Sequence, residues 1–165
     1  MVNWKPLSYN KYDDLIRDVK DTLLFYGNDV FNKRTKRKTK ELMGVIFVIN
    51  FLLRNDRYFK EKFKIIERQY KLALRKLLKD NTSRQALITF WSLRELCKSE
   101  PECLISYQVM LREGKLHMFV YERSWDFVKK FHQDIAFASH LAKKFCEDLE
   151  VGLGDITFFV GSLHA

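Results

Sequence analysis

Apolar residues recur at helical spacing in three stretches of the chain and cluster or alternate between them. Leu15, Val19 and Leu23 step by four, and Gly27 stands where a helix C-terminus calls for a cap, which predicts a helix over about 9–26. Lys40 to Leu52 is dense in Val, Ile and Phe and predicts a buried strand. Phe59, Phe63, Ile66, Tyr70, Leu74 and Leu77 step by three or four through a Lys/Arg-rich segment. That is an amphipathic helix over about 57–79, closed by Asp80-Asn81-Thr82. Ser83 to Trp91 reads as a strand. Leu104–Leu111 and Lys115–Tyr121 flank Arg112-Glu113-Gly114, a hairpin signal with Gly where a positive φ is needed. Phe131 to Leu149 predicts a helix ending near Gly152 and Gly154, and Ile156 to Leu163 a last strand. No repeat, low-complexity tract or linker interrupts this order. It predicts one α+β domain over 1–165, with a largely antiparallel or mixed sheet packed with helices.

Composition narrows the class. With 47% hydrophobic and 31% charged residues in 165, the chain can build one packed core. The longest apolar run, Leu42 to Leu53, is broken by Asn50 and too short to span a bilayer, so no membrane role is expected. Met-Val-Asn-Trp-Lys-Pro at the start carries no apolar signal segment. Three cysteines, an odd number without CxxC spacing, fit a reducing compartment, and the expected location is cytoplasmic. His117, His132 and His140 form no HExxH or Cys/His cluster, so no metal site is expected. The net charge of +9 calls for a phosphorylated or polyanionic partner. Lys33–Lys40 and Arg57–Lys79 hold much of the excess. A nucleic acid could use such a surface, but a solvated helix face plus a phosphate site explains the same charges more simply.

Candidate chemistry lies in a set order of polar landmarks: Arg34-Thr35, Thr39, Gly44, Ser83-Arg84, Trp91, Pro101-Glu102-Cys103, Gln108, Arg123-Ser124-Trp125-Asp126, Asp134 and His164. In order and spacing they resemble the nucleotide site of the thymidylate synthases and pyrimidine nucleotide hydroxymethylases, over about 32–44 and 81–164. Arg34 falls in that family's early phosphate loop. Ser83-Arg84 matches its Ser-Arg-Arg, with Gln85 replacing the second Arg. Cys103 ends Pro-Glu-Cys where the family has its Pro-Cys nucleophile. The resemblance implies a thymidylate synthase-like fold and a homodimer in which Arg84 reaches across to the partner's phosphate. It implies a pyrimidine nucleoside monophosphate as substrate and methylenetetrahydrofolate as one-carbon donor, in a shortened form of viral or otherwise streamlined kind.

The implied chemistry explains why these residue types belong together. C5 of a pyrimidine becomes nucleophilic only after a thiolate adds to C6, and the thiol needs nearby positive charge to ionise. Cys103 is the implied nucleophile, with Arg34 and Arg123 the expected source of that charge. Arg34, Arg84, Arg123 and Ser124 are the implied phosphate ligands, because the planar guanidinium binds oxygens in pairs. Gln108 and His164 are implied base and sugar contacts, and Asp126 a folate contact that orders water. Asp134 discriminates between bases. An Asn there suits uracil, whereas a carboxyl accepts from the cytosine N4 amino group and, when protonated, donates to N3. Asp134 therefore implies dCMP and a hydroxymethylase-like reaction.

Three departures fall on the folate side. The family's long segment with its catalytic Glu is absent, because Phe51-Leu52-Leu53-Arg54 leads almost directly into the basic helix; Glu61 or Glu67 is left as a substitute. The Tyr that follows the His, and the closing C-terminal tail, fall beyond Ala165. Lys129-Lys130-Phe131-His132-Gln133 replaces a Leu-Gly-x-Pro-Phe stretch. The alternative is therefore a catalytically inactive family member that binds nucleotide or a partner protein.

Overall fold

The computed structural model describes residues 6–53 and 56–165; the first five residues, Arg54 and Asn55 lie outside the described residues. Strand β1 (Leu7–Tyr9) leads into helix α1 (Tyr12–Tyr26), then the hairpin of β2 (Asn28–Asn32) and β3 (Arg37–Ile49). Helix α2 (Asp56–Lys79) is followed by β4 (Ala86–Thr89), the single turn α3 (Leu93–Leu96), and the hairpin of β5 (Leu104–Arg112) and β6 (Lys115–Glu122). The short β7 (Trp125–Asp126), helix α4 (Phe131–Leu149) and β8 (Gly152–His164) complete the order.

One mixed sheet carries all these strands in the order β1-β3-β8-β6-β5-β4, with β2 on β3 and β7 on β8. β1 pairs in parallel with β3, and β6 and β7 pair in parallel with β8; the other pairings are antiparallel. The parallel β6–β8 pair follows from chain geometry. A parallel return needs a crossover, and α4 supplies it. On one face of the sheet Phe47, Phe158, Trp125 and Phe131 stack, with centroid separations of 4.9 Å for Phe47–Phe158 and 4.4 Å for Trp125–Phe131. Each such aromatic removed from water stabilises the fold by about 2–3 kcal/mol. Helices α2 and α4 close over this face. Tyr70 lies 4.4 Å from Phe145, and its hydroxyl donates to Asp148 Oδ2 at 2.5 Å. The opposite face carries Leu87, Gln108, Phe119, Tyr121 and Phe159, of which Leu87 is half exposed and the two tyrosine–phenylalanine rings stack at 5.2 Å.

Helix α4 spans the predicted residues, and the β5–β6 turn forms at Glu113-Gly114, both with positive φ (52° and 71°), as a two-residue hairpin turn demands. Several boundaries differ from expectation. The chain from Asn28 to Glu41 is a hairpin that the sequence pattern does not announce, because β2 is almost wholly exposed and shows no apolar alternation. Gly27 ends α1 in extended backbone, with φ −67°, and is not a left-handed cap. Helix α4 is terminated by Glu150 in the left-handed conformation, with Val151 N donating to Cys146 O at 3.1 Å; Gly152 and Gly154 belong to β8. Among the described residues no helix is long and apolar enough to cross a membrane.

Candidate functional site

At one end of the sheet a cleft of about 700 Å³ opens between the β2–β3 turn, the loop before β5, the β6–α4 connection and the last residues of β8. That volume is ordinary for a site that takes a small molecule. Arg34, Cys103, Arg123, Ser124, Asp126, Asp134 and His164 all line it, so seven of the landmarks spread from 34 to 164 meet in one place. A second cavity of about 410 Å³ shares Arg34, Asp126 and His164 and adds Arg37, Lys38 and Lys129, which gives part of the Lys33–Lys40 run a defined place.

The Pro101-Glu102-Cys103 loop is fixed through its carbonyls. Arg123 donates from Nη2 to Pro101 O at 2.7 Å and from Nε to Glu102 O at 3.2 Å, and the Trp91 indole donates to Glu102 O at 3.0 Å. Glu102 N in turn donates to Glu95 Oε1 at 2.7 Å. Just beyond Cys103 the β5–β6 register slips by one residue between Leu104 and Ser106. This bulge switches the face of β5, so Leu104 turns into the core opposite Glu122. Gly161 allows the backbone of Arg123 to approach β8. A Cβ there would lie 2.7 Å from Arg123 O, which instead accepts from Ser162 N at 3.2 Å.

Electrostatics around the thiol differ from expectation. Burial pushes the Cys103 thiol above its ordinary value. Arg123 opposes that rise, but the acidic groups of Glu122, Asp134 and Glu102 reinforce it wherever they are ionised. The arginines therefore do not hold a thiolate in the unliganded site. Arg34 is instead paired with Glu100, and both side chains are well exposed, at 65% and 73%. Such a pair contributes little, so Arg34 is available to an anion. Its turn is set by Asn32, whose Oδ1 accepts from Arg34 N and Thr35 N at 3.0 and 3.1 Å.

Asp134 lies deep in the cleft, 6% exposed. Its Oδ1 is 3.2 Å from Lys62 Nζ and its Oδ2 accepts from the Trp125 indole at 3.1 Å. Asp126 works locally: its Oδ1 accepts from Val128 N and Lys129 N at 3.0 and 2.9 Å and shapes the turn into α4. Ser124 Oγ and His164 Nδ1 are 3.4 Å apart at the cleft rim.

Two of the candidate site residues stand elsewhere. Gln108 lies on the opposite face of the sheet, because strand alternation turns its neighbours Tyr107 and Val109 into the core; its amide donates to Arg84 O at 3.0 Å. Arg84 is exposed at the far end of β4, whereas the other end of that strand, through Trp91, touches the cleft. Within one chain neither residue reaches the cleft. Nor do the α2 carboxylates expected to stand in for the missing acid. Glu67 pairs with Lys71 at 2.6 Å, and Glu61 is exposed outside the cleft lining. Two groups unforeseen from the sequence belong to the site instead: Lys62, which lines it, and Glu122, buried beside Asp134 and Cys103. Among the described residues no group of three or more His, Cys, Asp or Glu is placed to hold a metal ion.

Chemically the cleft offers guanidinium and hydroxyl donors for an anion, a thiol, and a carboxyl–ammonium pair in one buried layer. Comparison with known proteins gives this assembly its context. The chain is 30% identical over 97 residues to the thymidylate synthase of Wigglesworthia glossinidia brevipalpis, and 29% identical over 97 residues to that of Corynebacterium aurimucosum. Each match takes in 58% of this chain but only 37% and 36% of those relatives, so the chain matches little more than a third of their length. The thymidylate synthase family model matches residues 25–165, from the end of α1 through every cleft element, and the chain belongs to the thymidylate synthase family.

Proposed function

We propose that the cleft binds a pyrimidine nucleoside monophosphate, most specifically dCMP, and that Cys103 activates C5 for one-carbon transfer of the hydroxymethylase type. The observation that carries this reading is the meeting of Cys103, Arg123, Ser124 and Asp134 in one cleft. Arg34, Arg123 and Ser124 hold the phosphate, His164 the sugar, and Asp134 reads the base edge. The phosphate's two negative charges displace Glu100 from Arg34.

In the reaction the Cys103 sulfur adds to C6 as thiolate, and the electron pair of the C5–C6 bond moves to C5, which then takes an electrophile. The C5 substituent proton leaves, the pair re-forms the double bond, and the thiolate is expelled. Methylenetetrahydrofolate, which would supply the carbon, does not fit the described residues. Among the described residues Trp125 is the one Trp, Tyr or Phe in the cleft lining, and it is wholly buried and bonded to Asp134, so none of these offers an open ring face to a pterin. The chain's own residues thus account for nucleotide binding and C5 activation, while Asp126 serves the turn into α4.

A homodimer completes the phosphate clamp in this reading. The apolar sheet face with Phe119, Tyr121 and Phe159 supports pairing of two copies, and the distance of Arg84 from its own cleft supports service as Arg84 of the partner subunit. The second reading, nucleotide binding without turnover, is favoured by the raised thiol. Tritium release from C5-labelled dCMP separates them. Release into water that disappears in Cys103→Ala supports activation; none, with binding intact, supports a binding protein.

A further inference from the structure

Part of the Lys33–Lys40 run stands apart from the phosphate ligands named so far. Arg37, the first residue of β3, lies opposite Asn32, and Lys38 lies opposite Phe31. Both are exposed, and both line the cavity of about 410 Å³. Among the described residues neither side chain has an ion pair or a hydrogen bond. Lys40 of the same run differs. Its ammonium is 3.1 Å from Asp29 Oδ1 and donates to Gly27 O at 3.3 Å, so it is committed to the fold. A solvated strand end spreads its cations over a convex surface, whereas Arg34, Arg37, Lys38 and Lys129 converge on one cavity. Among the described residues Asp126 is the one acidic side chain in that lining. Its Oδ1 is already held by Val128 N and Lys129 N, and its Oδ2 is 3.6 Å from Lys129 Nζ. Four cationic side chains thus meet one carboxylate, a surplus that attracts an anion.

The place of the surplus says which anion. Asn32, Arg34, Asp126 and His164 line this cavity and the larger cleft alike, so the two spaces meet at Arg34. Arg123 and Ser124 lie on the cleft side alone, and Arg37, Lys38 and Lys129 on the other side alone. A phosphate held by Arg34, Arg123 and Ser124 sits at the junction, with its charge met from the cleft side. The second group of cations is left for whatever extends from that phosphate. We propose that the smaller cavity is a subsite for a second phosphoryl group, so that the site takes a pyrimidine nucleoside diphosphate more tightly than the monophosphate. This rests on the nucleotide reading given above and leaves the base end unchanged. Arg37 offers a planar fork to two phosphate oxygens, while Lys38 and Lys129 act as point charges. All three are exposed, so salt screens their pull.

Titration calorimetry of the whole chain with dCMP, dCDP and inorganic pyrophosphate tests this. The wild-type protein is expected to bind dCDP about tenfold or more tightly than dCMP, the worth of one charge-assisted hydrogen bond, with the advantage narrowing as salt rises. Arg37→Ala and Lys38→Ala should each shrink the ratio of dCDP to dCMP affinity, and the double variant should bring it to within about twofold of equality. Lys64→Ala removes one positive charge from the exposed face of α2, outside the cavity lining, and should leave the ratio as in wild type. A ratio that falls as far in Lys64→Ala as in Arg37→Ala would reduce the subsite to bulk charge and overturn the proposal. So would dCDP bound no more tightly than dCMP, or a ratio unchanged in the double variant. Pyrophosphate alone bound as tightly as dCDP would also overturn it, as the mark of a general polyanion patch. Failure of both nucleotides to bind is a separate result, and it breaks the nucleotide reading on which the subsite rests.

Discussion

Glu122→Gln should make the protein more stable than wild type as pH rises, by an amount that the burial of this carboxyl sets. In the unfolded chain Glu122 ionises near its ordinary value; in the folded chain burial, and then Asp134, hold the proton on far above it. Folding therefore takes up a proton in the window between the two. Because the folded state binds more protons there, stability falls as pH rises, by about 1.4 kcal/mol per pH unit. Below the unfolded value both states are protonated and this contribution vanishes. Gln carries no such proton and shows no such slope from this site. Its buried amide, without partners, adds a destabilising offset of about 1–3 kcal/mol that does not vary with pH. Urea denaturation of both proteins at several pH values from about 5 to 8 yields the difference, and the expected outcome is a gap moving in favour of the variant as pH rises above the ordinary Glu range, by at most about 1.4 kcal/mol per unit. Parallel stability curves would refute the reasoning, because they would mean that Glu122 ionises in the folded state as it does in the unfolded one.

Cys103, its thiol raised by burial and three carboxylates, should be alkylated slowly at neutral pH with a rate still rising past about pH 9, whereas a plateau below pH 8 would contradict the electrostatics. Glu122→Gln should bring that rise to lower pH. Tyr121→Arg places a charge in the apolar sheet face beside Phe159 and should abolish the proposed pairing of two copies in sedimentation with the helices intact by circular dichroism; an association state unchanged from wild type would contradict pairing through this face. Glu150→Gly relieves a left-handed residue at the end of α4 and should stabilise the fold by roughly 0.5–1 kcal/mol, measured as a midpoint rise of about 2 °C.

Periodicity made the strongly amphipathic elements legible. Helix α4 and the β5–β6 hairpin lie where the pattern puts them, because each buries one face and the hairpin turns at Gly114, which suits a positive φ. Strand β2 was illegible for the opposite reason: its five residues are held by backbone pairing to β3 and bury almost nothing. In the site, Cys103, Arg123, Ser124, Asp126, Asp134 and His164 were readable because they sit on chain segments whose spacing the family shares. Gln108 misled because spacing fixes a register position but not the face toward which a strand residue points. Lys62 and Glu122 went unread although a signal was present. Lys62 falls three residues after Phe59 and four before Ile66, on the buried stripe of α2. Glu122 continues the inward alternation of Met118 and Val120. A charge at an inward position is what distinguishes a site residue from a solvated one, and both satisfy that test.

The central claim is a cytosine nucleotide site built on Cys103, the arginines and Asp134. Calorimetric titration of the wild-type protein with dCMP and with dUMP at neutral pH tests it most directly. The account predicts saturable dCMP binding, tighter than dUMP by about tenfold or more, the discrimination of one buried hydrogen-bond pair, and weakened in Arg123→Ala. Equal affinity, a preference for dUMP, or no binding of either nucleotide would contradict it.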